Sequence, residues 1–145
     1  MSVTTAMTTS FKQELLQGLH DLDGHTLKLA LIKSGESGTF GAASTNFSNI
    51  TDSSDEASGT GYSSGGATLG SVAITTSGTT AFVDFADVSF SNSTISASGA
   101  MIYNSSASNR AIAVISFGGT VASTAGTFTV TMPTADASNA IIRLA

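Results

Sequence analysis

From Gly59 to the C-terminus no stretch of the chain repeats its apolar residues with a helical period. Short runs of Val, Ile, Phe and Thr alternate with clusters of Gly, Ser and Asn. Parallel strands need long crossover connections, usually helical, and there is no helical segment here to supply them. The strands must therefore run antiparallel. The spacing predicts strands at Ser71–Thr76, Thr80–Phe85, Ala86–Phe90, Ile95–Tyr103, Ala111–Phe117, Thr127–Met132 and Ile141–Leu144. The segments "TSGT", "SNS", "NSSASNR", "GGTVASTAG" and "PTADASN" read as the links between them. The single proline, Pro133, falls at a strand end, where a missing N–H does no harm. The expected fold class is all-β: an antiparallel sandwich or barrel-like meander.

The N-terminal third reads differently. Ser10 can cap a short helix that places Phe11, Leu15, Leu16 and Leu19 on one face, with Lys12, Gln13, Glu14 and Gln17 on the other. An isolated helix of this length is marginal in water, so it must dock. "HTLKLALIK" (His25–Lys33) alternates as a strand, with Leu27, Leu29 and Leu31 on one face. Residues 34–70 then lose all periodicity and read as an extended Gly/Ser-rich loop or surface lobe, anchored by Phe40, Phe47, Ile50 and Tyr62. The expected organisation is one domain over residues 1–145: an arm and helix (1–24), a first strand (25–33), the loop (34–70) and the β meander (71–145).

Composition narrows what such a domain can do. With no cysteine, neither disulfides nor thiolate metal sites are available. Ten acidic residues against five basic ones give a net charge of −5, and the basic residues are scattered. Nucleic-acid binding rests on clustered Lys and Arg, and attraction to anionic membranes does too, so neither partner is expected. Charged residues make up only 10% of the chain, against about 25% in an average soluble domain. Ser and Thr instead total 45 residues. Short hydroxyl side chains lose little entropy when immobilised, which suits static packing against neighbours; the same composition also fits a secreted or extracellular β domain with a weakly charged surface. No segment is long and apolar enough for a membrane helix, and the start lacks the pattern of a secretory signal. The initial Met1 fits synthesis in a cytoplasm, with an N-terminus pinned by contacts.

Each apparent chemical motif has a plainer reading. His20, Asp21, Asp23 and His25 in "HDLDGH" supply metal-ligand types, but they read as a polar turn after the helix. Asp52, Asp55 and Glu56 in "DSSDE" lack EF-hand spacing and read as a solvated acidic loop. "GTGYSSGG" lacks the Lys-Ser/Thr end of a phosphate loop. Asp84 and Asp87 in "DFADVSF" fall on opposite strand faces and mark a bend between strands. Gly61-Tyr62-Ser63-Ser64-Gly65 spells Gly-x-Ser-x-Gly, but a strand pattern and no helix follows it, so it does not read as a nucleophile elbow for the histidines. Sequons at Asn46, Asn49, Asn92 and Asn104 arise by chance in so Asn- and Ser-rich a chain. No catalytic residue, cofactor or metal is expected.

The order of "SFKQELLQGLHDLDGHTLKLALIKSG", "GTGYSSGGATL", "TTAFVDFADVSFSNSTISASGAMIYN", "AIAVISFGG" and "TFTVTMPTADASNAIIRLA" resembles a family of small virion proteins of tailed bacteriophages, from Ser10 to the C-terminus. The resemblance implies a β-rich protein that decorates or cements a capsid, or belongs to the tail. It implies the major capsid protein or other virion proteins as partners, a homo-oligomer, and a place in the virion after synthesis in the bacterial cytoplasm. It carries over no catalytic residue. The candidate subunit-contact residues are Phe11, Leu15, Leu16, Leu19, Phe40, Phe47 and Tyr62, with the segment "VTTAMTTSFKQELLQ" expected against a neighbouring subunit. The alternative reading is a tail or head-fibre domain that binds a host-surface glycan.

Overall fold

A computed structural model describes residues 2–145, so the expectation about Met1 lies outside the described residues. The elements are β1 (Ser2–Val3), β2 (Ala6–Met7), α1 (Thr9–Leu16), β3 (Leu27–Lys33), β4 (Thr39–Phe40), α2 (Ser48–Asp52), β5 (Ala67–Thr68), β6 (Ala73–Ser77), β7 (Thr80–Asp84), β8 (Val88–Asn104), β9 (Arg110–Val130) and β10 (Ile142–Leu144). The all-β class holds. Five strands form the main antiparallel sheet in the order β2-β9-β8-β3-β5, and three form a second sheet in the order β10-β7-β6. β1 and β4 make a two-residue parallel pair.

Around β3 and the adjoining halves of β8 and β9 the main sheet is buried on both faces, and this explains the composition of β3. Leu27, Leu29 and Leu31 join Ile102, Ile112 and Ile115 in one core, shared with Val83 and Ile142 of the second sheet and with Phe11 of α1. Ile32, Met101 and Val114 belong to a second core, closed by Phe40 and Ile50. Each fully buried aliphatic side chain contributes about 1.5–3 kcal/mol relative to an exposed one, so covering the second face matters.

That cover is the segment read as an extended loop, and the expectation is corrected here. Residues 34–70 carry β4, α2 and β5 and fold back over the sheet. The segment is stapled in place by backbone bonds: Ala111 N to Thr45 O (3.1 Å), Phe47 N to Asn109 O (2.9 Å), and Ala57 N to Leu31 O (2.9 Å). Phe47 stacks on Tyr103 with ring centroids 4.5 Å apart. The apolar content of the segment is thin, but each of its few apolar anchors is aimed at the sheet.

Three boundaries also differ from expectation. α1 is capped by Thr8, whose hydroxyl accepts from Phe11 N and donates to Ala111 O, and the helix ends before Leu19. β3 begins at Leu27, because His25 belongs to the preceding turn. The strands expected at 86–90 and 95–103 are one strand, β8, and those at 111–117 and 127–132 are one strand, β9. The supposed turns are irregularities within a single long hairpin. Ala97 pairs with Val121 and Gly99 with Ser116, so residues 117–120 bulge out of the ladder. Asn92 (φ 50°) and Ala125 (φ 46°) occupy two further register shifts. Left-handed residues usually signal a reversal, but in a bulge they only bend and twist the strand.

Candidate contact surface

α1 packs its Phe11 inward, and the chain after it turns through residues 17–25 beside the second sheet. A cleft of about 230 Å³ lies between this turn and the sheet, lined by Leu15, Leu22, Ile74, Phe82, Ile142 and Leu144, with His20 and Asp21 at its polar side. The β-ladder explains the shared face. Ile74 and Ile142 both sit opposite Val83, and Leu144 sits opposite Ala81, so alternate residues of three strands point the same way. Ile74 is 50% exposed, and Leu16, the residue after Leu15, is 91% exposed. Leu19 and Leu144 are also exposed. A second concavity of about 410 Å³ opens on β9, where Phe117, Val121 and Phe128 meet the hydroxyl-bearing Thr5, Thr129 and Thr131.

The seven expected contact residues divide by burial. Phe11 and Phe40 are almost wholly buried in the two cores, so their surfaces are spent within the chain. Phe47 is half-buried against Tyr103. Tyr62 is half-buried, donating its hydroxyl to Glu56 Oε1 (2.8 Å) and accepting from Leu31 N (3.0 Å). Leu15 lines the cleft, and Leu16 and Leu19 reach solvent. The rest of "VTTAMTTSFKQELLQ" is tied into its own domain: Val3 pairs with Phe40, and Ala6 and Met7 pair with Val114 and Ala113. Ile74 and Leu144 escaped the sequence reading, since alternation in a strand predicts a buried face and cannot tell an edge from a centre.

The polar residues singled out in the sequence are built into hydrogen-bond networks. Asn104 donates from Nδ2 to Nδ1 of both His20 (3.0 Å) and His25 (2.9 Å), while its Oδ1 accepts from Ser106 N. These bonds place the His20 ring proton on Nε2, which faces Glu14 Oε1 at 3.1 Å; Glu14 Oε2 in turn meets Arg110 Nε at 3.3 Å. No serine or threonine hydroxyl bonds either imidazole among the described residues. Likewise, among the described residues no three His, Asp or Glu side chains gather as a metal set.

Asp55, expected in a solvated acidic loop, is fully buried, and that reading is corrected. Its carboxylate accepts from Ser37 N (2.9 Å) and Gly38 N (2.8 Å) and lies 3.3 Å from Lys33 Nζ. Burial alone would push its pKa up, but these donors outweigh it and hold the carboxyl well below the usual range. This short hydrogen-bonded tie between the end of β3 and the β4 approach adds to the backbone bonds that hold the cover down.

The only two tyrosines shift the opposite way. Burial, reinforced by the nearby Glu56 carboxylate, pushes Tyr103 up to about 12. It pushes Tyr62 higher still. A raised phenol pKa means that the native state favours the neutral ring. That stability is complete below the ordinary tyrosine pKa of about 10 and is lost as pH rises towards the native value. Tyrosinate absorbance is therefore expected to stay flat through pH 10 and then rise together with loss of the β circular-dichroism signal. A smooth titration centred near pH 10, with the fold intact, would contradict the hydrogen bonds from Tyr62 to Glu56 and from Tyr103 to Gly65 O (2.6 Å).

Comparison of the chain with protein-family models, with curated proteins and with solved structures found no match.

Proposed function

We propose that this chain is a non-enzymatic structural protein of a tailed-phage virion, one that binds the major capsid shell as a decoration or cement protein. The observation that carries the reading is the apolar cleft of Leu15, Leu22, Ile74 and Leu144 between the turn after α1 and the second sheet, with Leu16 and Leu19 exposed at and beyond the helix end. A domain that has spent most of its large apolar side chains on two cores has little reason to leave an apolar cleft in water unless a neighbour covers it. The stapled N-terminus and cover support the same reading, because a rigid surface loses little entropy on docking. Many copies on a symmetric shell can each bind weakly and still hold through avidity.

The residue-level test is Leu16→Asp combined with Leu19→Asp. Leu16 is 91% exposed and Leu19 38%, so the melting temperature is expected to fall by no more than a few degrees, through the Leu19 change. Occupancy on reconstituted particles is expected to fall at least tenfold, read by quantitative mass spectrometry of purified particles. Unchanged occupancy removes this surface from the shell contact, and absence of the parent protein from particles removes the reading itself.

The second reading, a fibre domain that binds a host glycan, draws on the β9 concavity, where aromatic rings lie beside threonine hydroxyls and no charged residue lines the wall. Copy number separates the two: hundreds per particle fit cement, and tens or fewer fit a fibre.

A further inference from the structure

β6 is the outer strand of the second sheet, and all five of its residues are exposed. Ser77 and Thr80 close a two-residue turn at Gly78 and Thr79, so this pair exchanges both ladder bonds. Alternation then gives the same role to Thr75 and Ala73 and turns the N–H and C=O groups of Ile74 and Thr76 away from β7. No other strand or loop among the described residues pairs with them.

Exposed edges are normally blunted by a charge, a proline or a bulge. β6 has none of these: from Ala57 to Val83 the chain carries no charge and no proline, and the β6–β7 register is unbroken. The chain as a whole carries −5, so two copies repel one another over most approaches. The uncharged β6 edge is a place where they meet without a local like-charge clash. The edge is also self-complementary. Turned about a two-fold axis through Thr75, its outward-facing Ile74 aligns with Thr76 of a second copy, and Thr76 with Ile74, which matches the groups each strand has free.

We infer that β6 pairs antiparallel with β6 of a second copy of this chain, joining two three-stranded sheets into one of six. The inference goes beyond the virion reading and does not depend on where the protein resides. Five-residue strands bury a small area, so the association is weak and concentration-dependent. It strengthens with added salt, which screens the repulsion between two acidic copies.

Sedimentation of the purified protein over a concentration series tests this. The parent chain is expected to shift towards dimer as concentration and salt rise. Thr76→Pro removes an outward N–H in each copy without touching the β7 ladder. Losing two interstrand hydrogen bonds corresponds to roughly 30-fold weaker association. Thr76→Lys places like charges across the edge, leaves the backbone unchanged, and is expected to weaken the dimer in the same direction. Because the chain has no cysteine, single-cysteine variants report the register. Thr75→Cys lies at the proposed axis, in the close non-hydrogen-bonded pair, and is expected to form a disulfide-linked dimer on mild oxidation. Thr79→Cys, which the pairing sends to opposite ends, is not. A parent chain that stays monomeric throughout overturns the inference. A dimer indifferent to both Thr76 variants, or linked through position 79 in preference to 75, does so too.

Discussion

Asp55→Ala is expected to destabilise the protein by about 3 kcal/mol, through charged hydrogen bonds lost and part-buried donors left unpaired. The Ser37 and Gly38 N–H groups that now end on the carboxylate would have no acceptor, and Lys33 would lose its ion pair. The damage should spread beyond the loop, because Asp55 adjoins Glu56, which bridges to Ile32, and its own carbonyl accepts from Lys33 N. Releasing this corner would expose the second core, starting at Phe40 and Ile50. Hydrogen exchange should therefore rise most in residues 34–56 and in the Ile32 and Met101 stretches.

The pH dependence follows from the direction of the shift. A carboxyl whose native pKa is depressed contributes its full stability above the unfolded value of about 3.9 and loses it as pH falls towards the native value. Melting temperatures of the parent and of Asp55→Asn should differ most at neutral pH and converge as the solution is acidified below pH 4. A gap that stays constant with pH would mean that the carboxylate charge contributes nothing to the tie.

Gly66→Ala is the second large effect, expected at roughly 3–5 kcal/mol from the combined cost of a left-handed backbone and steric overlap. Gly66 has φ 79°, and a β carbon there would run into the backbone carbonyl of Leu29. Leu29 is fully buried in β3, held between β8 and β5, so neither side can give way. The residue delivers the chain to β5, which pairs with β3 at Leu29 and Lys28. Gly70→Ala is the matched control, since a β carbon at that position meets nothing within 4 Å. Urea unfolding should show a much lower midpoint for Gly66→Ala and little change for Gly70→Ala. Equal effects at the two sites would show that the close approach at Leu29 does not limit the packing.

Much of the β architecture was legible before any fold was known. The alternation of Leu27, Leu29 and Leu31 marks a strand because a two-residue period puts one face into a core. The β6–β7 hairpin was equally visible, with Gly78 at the position that needs a positive φ. Other features were misread for definite reasons. Gly118 and Gly119 look like turn residues, and Gly118 and Ala125 have left-handed dihedrals (φ 75° and 46°), yet β9 absorbs them as bulges, since only pairing across the sheet tells a bulge from a reversal. Asp55 lies in a run of polar letters, and nothing local announces that Ser37, Gly38 and Lys33 will converge on it.

The contact surface shows the same division. Leu16 and Leu19 were legible as part of an apolar helix face, but Leu16 sits about 140° round the helix from Phe11 and Leu19 lies past the helix end, so both reach solvent while Phe11 goes in. Ile74 sits in an ordinary strand pattern and becomes exposed only because β6 ends its sheet.

The amino-acid order alone determined that the chain would form antiparallel strands, would rely on burial in place of cross-links, and would carry few charges. These are properties of local periodicity and composition, and each residue brings them to any environment. Only the tertiary structure decided that residues 34–70 close a second core, that a long hairpin replaces four shorter strands, and that β6 and the leucines near α1 are left uncovered. Those outcomes depend on which distant segments meet, and no short window of sequence contains both partners of such a contact.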